Sequence, residues 1–167
     1  LTYVLNMDKF KGKNMKDIIS NGLDGGISGI GGLAGVIGFG TVVQSSAAFS
    51  AIVTWVLSLK MNPYVQGVLS TMVVSAVTGS SSGGLRIMYT SMAPSFISSG
   101  ADLEIIHRLT AISADALDTL PHSPGLFLMF AVLGLTHKQA YIHVFATSTI
   151  IPLVITGVAT AYCLLFL

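Results

Sequence analysis

A polar, glycine-rich segment interrupts long apolar sequence in this chain. Between residues 25 and 101 only Lys60 and Arg86 are charged, and the run Thr-Gly-Ser-Ser-Ser-Gly-Gly occupies positions 78–84. In a bilayer, non-helical backbone survives only where it is buried in protein or lines a cavity, because lipid offers no hydrogen-bond partners. Interrupted apolar helices are also the best sequence indication of a transporter's binding site. The run at 78–84 therefore predicts a binding site at membrane depth.

The composition is typical of a membrane protein. The chain has 167 residues, a mean hydropathy of +0.79 and 9% charged residues, whereas soluble domains carry roughly 25%. A net charge of +1 gives no indication of nucleic-acid binding, and the single Cys163 excludes a disulfide framework. We therefore expect an all-α polytopic membrane protein that is not an enzyme, with no metal site and no organic cofactor.

Apolar runs and interruptions divide the chain into parts. A charged stretch at 1–24 predicts a juxtamembrane loop with a short interfacial helix, and its apolar opening looks like the tail of an earlier helix. A glycine-rich stretch predicts a re-entrant hairpin with its tip near 38–46. The predicted transmembrane elements are the hairpin at 25–59, a broken helix at 63–98 with half-helices at 64–77 and 85–97, a broken segment at 105–135, and a terminal helix at 142–167 that Pro152 kinks.

Counting these crossings gives an expected orientation. The lysine-rich segment and Lys60 fall on one side, and Asp102, Glu104 and Arg108 fall on the other. The positive-inside rule makes the lysine side cytoplasmic.

The first interruption supplies hydroxyl groups and flexible backbone. A helix that restarts there presents free N–H groups and a positive dipole end, which bind anions; hydroxyls and unwound carbonyls could instead hold Na⁺, and a simple packing kink is the alternative. Arg86 could clamp a carboxylate or pair with Asp115 or Asp118, because an unpaired arginine in a membrane costs roughly 3 kcal/mol. The predicted substrate-binding residues are Thr78, Gly79, Ser80, Ser81, Ser82, Gly83, Arg86 and, at the hairpin tip, Gln44 and Ser45, where backbone capping is the alternative.

The second interruption contains ionisable groups. Asp115, Asp118, Thr119 and His122 lie in a stretch with two prolines, Pro121 and Pro124. Ionisable residues at membrane depth are functional hypotheses by default. Burial favours the protonated carboxyl group and imidazole titrates near neutral pH, so Asp118 or His122 could carry a coupling proton. The alternative is that these groups pair with Arg86 and hold the segment closed.

An enzymatic interpretation competes with transport. The stretch at 79–83 matches the nucleophile pattern G-x-S-x-G, with Asp118 and His122 following in hydrolase order. That motif requires a strand–turn–helix context. Apolar, helix-length flanks without strand-like alternation argue against a serine hydrolase.

Several motifs resemble the gluconate permease family of the ion transporter superfamily. The run AVTGSSSGGLR at 76–86 resembles the family's "ATGS" interruption, and GFGTVVQS at 38–45 is similar to its hairpin tip. ISADALDTLPH at 112–122, followed by AVLGLTHK at 131–138, is similar to a subgroup pattern close to "SGGLDTLPH…GLTH". Asp118, Pro121 and His122 match this pattern, whereas Asp115 and Ala116 stand where it has glycines.

The resemblance implies a function and an architecture. Such permeases are symporters of small organic acid anions such as gluconate, usually coupled to H⁺, in the bacterial inner (cytoplasmic) membrane. Their fold has two inverted halves, often in a homodimer, and this chain would be the C-terminal half of a longer transporter whose N-terminal half is missing. The alternative is a small membrane subunit, complete in itself, that pairs with a second copy or binds a partner.

Overall fold

The computed structural model describes residue 9 and residues 11–166, without the side chains of a few positions such as Gln44. Regular structure in this part is entirely helical, as the sequence predicts. The elements in chain order are α1 (Met15–Gln44), α2 (Ala47–Ser58), α3 (Pro63–Thr78), α4 (Ser81–Ser99), α5 (Leu103–Ala114), α6 (Pro124–Leu133), α7 (His137–Phe145), a π-helical turn (Ala146–Ile150) and α8 (Ile151–Phe166). Expectations for residues 1–5 lie outside the described residues.

Helices α3 and α4 form a helical hairpin, where the sequence predicts one broken helix at 63–98. The start of α4 lies against the end of α3, since Gly84 abuts Ser75, and the end of α4 lies against the start of α3, where Phe96 reaches Gly67. The chain reverses at Gly79, whose φ of 61° suits a residue without a Cβ. The non-helical stretch is therefore far shorter than 78–84, because Ser81 already begins α4.

Both ends of this hairpin lie at the same end of the molecule. The hydroxyl of Tyr64, at the start of α3, accepts a hydrogen bond from the backbone N–H of Asp102 at 3.1 Å. Lys60 lines the same surface groove as Ser95 and Ser99 of α4. The predicted placement of Lys60 and Asp102 on opposite sides is therefore wrong, because a hairpin returns the chain to the side from which it started.

Helix α5 packs against the hairpin and completes the core. Met88, Met92, Phe96 and Ile106 form its buried apolar cluster. The absence of a side chain at Gly67 admits this packing, since a Cβ there would lie 3.1 Å from Cγ2 of Thr110. The buried Thr110 hydroxyl is satisfied by the Ile106 carbonyl of its own helix.

Helix α1 differs from the expected re-entrant hairpin. It continues through Gly25, where the sequence analysis placed a boundary, and stays helical to Gln44, so only Ser45 and Ser46 separate it from α2. It packs mainly against α6 and touches α2 little. Glycine lowers helix propensity by only about 1 kcal/mol, and in an apolar medium the helix remains the way to satisfy the backbone.

One helical stretch is long and apolar enough to cross a membrane by length and composition. It comprises α7, the π-helical turn and α8, spanning His137–Phe166 with a mean hydropathy of 2.0, and little of it is buried within the chain. Two further apolar helices, Ala47–Val56 and Pro124–Leu133, are shorter. Large exposed apolar surfaces on a protein indicate contact with lipid or with other protein.

Candidate functional site

Three irregular segments of the backbone meet around one cavity. They are the hairpin tip (residues 78–81), the break segment between α5 and α6 (residues 115–123) and the π-helical turn Ala146–Ile150. The cavity has a volume of about 720 Å³. Its polar lining consists of Thr41, Thr78, Ser80, Ser81, Asp118, Thr119, Ser123, Thr147 and Ser148, together with backbone at Gly79, Gly83 and Gly125.

The break segment is held against the hairpin tip. The buried Ser123 hydroxyl donates to the Gly79 carbonyl at 3.0 Å, and Nε2 of His122 donates to the Ala76 carbonyl at 2.8 Å. At Gly79 an added Cβ would lie 3.0 Å from the Ser123 Cα and 3.1 Å from Cδ of Pro124. The glycine is thus required both for the turn and for this close approach.

Asp118 links the break segment to the start of α4. Its half-buried carboxylate lies beside Ser81, whose hydroxyl and backbone N–H both stabilise its negative charge. Ser81 is the first residue of α4, so this N–H has no partner within its own helix. The carboxylate therefore occupies the positive dipole end of α4, where an anion is stabilised.

The π-helical turn holds the break segment from the other side. Pro152 has no N–H to donate to the carbonyl of Ser148, four residues earlier. The Thr119 hydroxyl donates to this carbonyl instead, at 2.9 Å, and lies 3.2 Å from Oγ1 of the buried Thr149. The kink predicted at Pro152 takes the form of this π-helical turn, and the turn anchors the break segment.

Replacing Thr119 with valine is expected to loosen this anchor. Valine keeps the shape but cannot donate to the Ser148 carbonyl, and a buried unsatisfied polar group costs about 1–3 kcal/mol. The melting temperature in detergent should fall by roughly 2–12 °C. Thr147→Val is the matched control, because the exposed Thr147 hydroxyl bonds within its own helix. Equal melting temperatures for both variants would show that the Thr119 hydroxyl does not anchor the segment.

The predicted substrate-binding residues divide into two groups. Thr78, Gly79, Ser80, Ser81 and Gly83 line the cavity. Ser82 and Arg86 are exposed on α4 and do not line it, and the part of the chain that the structure describes contains no ion pair between Arg86 and Asp115 or Asp118.

Ser45, near the end of α1, is also away from the cavity lining. The hydroxyl of Ser45 donates to the Val42 carbonyl, and its neighbour Ser46 caps α2 at the Phe49 N–H, so these serines cap backbone as the alternative interpretation holds. The side chain of Gln44 lies outside the described part.

Among the predicted coupling residues, Asp118 and Thr119 line the cavity. His122 lies beside it on the Ala76 carbonyl, and Asp115 is exposed at the end of α5, outside the lining. Within the described residues no three His, Cys, Asp or Glu side chains group as metal ligands.

The sequence missed four polar residues of the site. Thr41, Ser123, Thr147 and Ser148 line the cavity although none was predicted. For Ser148 a signal existed, because Pro152 leaves its carbonyl without a helical donor. Thr41 lies within the motif GFGTVVQS at 38–45, from which the sequence analysis selected only Gln44 and Ser45.

The geometry does not support a serine hydrolase. The described part of the chain has no strand to precede a nucleophile turn, although the motif requires one. Ser81 lies beside Asp118, and the His122 imidazole bonds to a backbone carbonyl instead of to a serine.

Comparison with known proteins indicates similarity to a transporter. Over 154 residues the chain is 27% identical to an uncharacterised transporter, YxjC, of Bacillus subtilis (strain 168), and the match covers 90% of this chain and 33% of that protein. The chain thus spans about a third of the length of this relative. The relative's name denotes transport and no enzymatic reaction, in agreement with the sequence prediction. No protein-family model and no solved structure matches the chain.

Proposed function

We propose that this chain belongs to a secondary transporter and that the cavity binds a small organic acid anion. The observation that carries the proposal is the meeting of the hairpin tip and the break segment around a polar cavity in an otherwise apolar chain. Irregular backbone at membrane depth is found where it lines such a site. The similarity to a protein named as a transporter supports the same class.

The hairpin tip has the chemistry to bind a carboxylate. Ser81 presents its N–H and its hydroxyl together, and the internal carboxylate of Asp118 already uses both. Oγ of Ser80 accepts from the Gly83 N–H and lies 3.4 Å from Oγ of Ser82. A cavity of about 720 Å³ lies within the usual range for small-molecule sites. The motif resemblance narrows the substrate to gluconate or a related hydroxy acid.

The break segment offers groups for coupling. Asp118 and His122 lie beside the same tip, and each can exchange a proton. Nε2 of His122 donates a hydrogen bond to the Ala76 carbonyl, and it can do so in both the neutral and the cationic imidazole. Symport with H⁺ is the proposed mode, and Na⁺ held by hydroxyls and carbonyls is its alternative.

The remaining features of the proposal concern the whole transporter. The α3–α4 hairpin would enter the membrane from one side and return, and the chain would form one inverted repeat of a multi-pass protein in the bacterial inner membrane. The greater length of the relative supports a second half. The motif resemblance to gluconate permeases also implies a homodimer.

Transport and ligand measurements test the proposal. Membrane vesicles containing the protein should show saturable gluconate uptake at pH 5.5, competed by other hydroxy acids. Ser81→Ala should weaken gluconate binding about fivefold, the equivalent of about 1 kcal/mol for one hydrogen bond to a charged group. Ser82→Ala is the matched control, since Ser82 is the adjacent serine but is exposed and outside the lining.

Two results would contradict the proposal. Absence of uptake for every hydroxy acid would show that hydroxy acids are not the substrates. Equal gluconate affinity of the Ser81 and Ser82 variants would show that the hairpin tip serves helix packing and does not bind the substrate.

A further inference from the structure

The N-terminus of α4 is already occupied by a carboxylate from another part of the chain. Asp118 comes from the break segment and lines the same cavity as Ser81, and both polar hydrogens of Ser81 stabilise its carboxylate charge. Charge-assisted hydrogen bonds are roughly twice as strong as neutral ones. A substrate carboxylate cannot use the Ser81 donors while an ionised Asp118 holds them.

The charges around Asp118 make this position sensitive to protonation. Asp115 is the charged residue that acts on it electrostatically among the described residues, and it is also negative. The neighbouring titratable group of the break segment, His122, bonds to Ala76 of α3. From α4 and the π-helical turn, the groups that line the cavity beside Asp118 are uncharged serines and threonines. Arg86, the cation of α4, is exposed and makes no ion pair with Asp118 in the part of the chain that the structure describes. His137 of α7 bonds to the Pro121 carbonyl of the break segment.

We propose that Asp118 is an internal competitor of the substrate: its ionised carboxylate mimics the substrate's carboxylate at Ser81, and its protonation releases the site. This inference rests on the proposed function. The protonated carboxyl group makes only neutral hydrogen bonds to Ser81, so the anionic substrate displaces it. Proton binding then precedes or accompanies substrate binding, and the return of the ionised Asp118 to Ser81 expels the substrate.

Competition and direct substrate binding predict opposite effects of Asp118→Asn on gluconate affinity. If Asp118 were a favourable substrate contact, Asp118→Asn would weaken binding. In the competition scheme the amide is a weaker competitor than the carboxylate. Asp118→Asn should therefore bind gluconate at least about tenfold more tightly than the wild type at pH 7.5, and its affinity should no longer rise between pH 8 and pH 5.5. The inference is overturned if this variant binds no more tightly or keeps the wild-type pH dependence.

Asp115→Asn is the charge-matched control. It also removes one negative charge near the tip, but Asp115 is exposed and makes no contact with Ser81. Its gluconate affinity should change less than about threefold. An equal gain in both variants would show a general electrostatic effect in place of competition.

A thiol-labelling experiment tests the competitor without any substrate. Ser82→Cys, in a Cys163→Ser background, places a thiol beside the tip, and its labelling is measured with an anionic and with a neutral methanethiosulfonate. The anionic-to-neutral ratio of rates should rise at least about threefold when Asp118→Asn is added, and less with Asp115→Asn. An unchanged ratio overturns the inference even if gluconate is transported. A raised ratio without uptake of any hydroxy acid supports the internal competitor and removes only the proposed substrate class.

Discussion

Replacing Gly84 with alanine is expected to destabilise the α3–α4 hairpin strongly. A Cβ at this position would lie 2.1 Å from Oγ of Ser75 and 2.8 Å from its Cα and its backbone N. Rotation of the serine could relieve the first contact, but the two backbone contacts require the helices to separate. Overpacking of this kind costs about 1–3 kcal/mol or more. The melting temperature in detergent should therefore fall by roughly 2–12 °C or more.

Gly157→Ala is the matched control for this variant. Gly157 is also a helical glycine, but a Cβ there would meet nothing within 4 Å. Alanine has the higher helix propensity, by about 1 kcal/mol, so this variant should melt at the wild-type temperature or slightly above it. An unchanged melting temperature for Gly84→Ala would contradict the close packing of α3 on α4 near the tip.

Asp118→Asn is expected to uncouple transport from the proton gradient. The amide cannot carry a proton between the two sides of the membrane, but it leaves the cavity and its donors in place. Exchange of labelled gluconate across vesicle membranes should continue, while accumulation driven by a pH gradient should fall to background. Parallel measurement of exchange and accumulation separates this result from a loss of folded protein.

His122→Gln tests the imidazole in the same assay. The glutamine amide can still donate to the Ala76 carbonyl, where Nε2 of His122 donates at 2.8 Å, but it does not titrate. If both variants still accumulate gluconate with only a pH gradient, neither residue is the proton carrier. Sodium coupling would then be the favoured mechanism. In that case uptake should follow the Na⁺ gradient and change little between about pH 6 and 8, the range in which histidine titrates.

Local chemistry made part of the site predictable. The run at 78–84 and the stretch with Pro121 and Pro124 break the apolar pattern, and the structure places a helix end at each. Asp118 and Thr119 were singled out because ionisable and polar groups are rare at membrane depth. Arg86 shows the limit of that argument, because an expensive side chain can also face outward from the chain described here.

Other features depended on how the helices pack. Glycine and serine at 79 and 80 permit a continuation, a kink or a reversal, and only the contacts of Gly84 with Ser75 and of Phe96 with Gly67 identify a hairpin. Because the sequence does not distinguish a hairpin from a helix that crosses the membrane, it predicts the wrong side for Asp102. The length of α1 was also missed, because its glycines suggested a loose turn where the backbone remains helical.

The sequence by itself determined the helical content and the places where the helices are interrupted, since these follow from apolar patterning and from what glycine and proline do to the local backbone. The tertiary structure decided which interruptions meet. It placed Asp118 beside Ser81, and it placed the Thr119 hydroxyl on the Ser148 carbonyl, to which Pro152 cannot donate. Those pairs are separated by roughly 30 residues or more along the chain, and no local preference encodes a contact of that separation. Only the packing of α3, α4 and α5 against one another, with α8 alongside, brings them together.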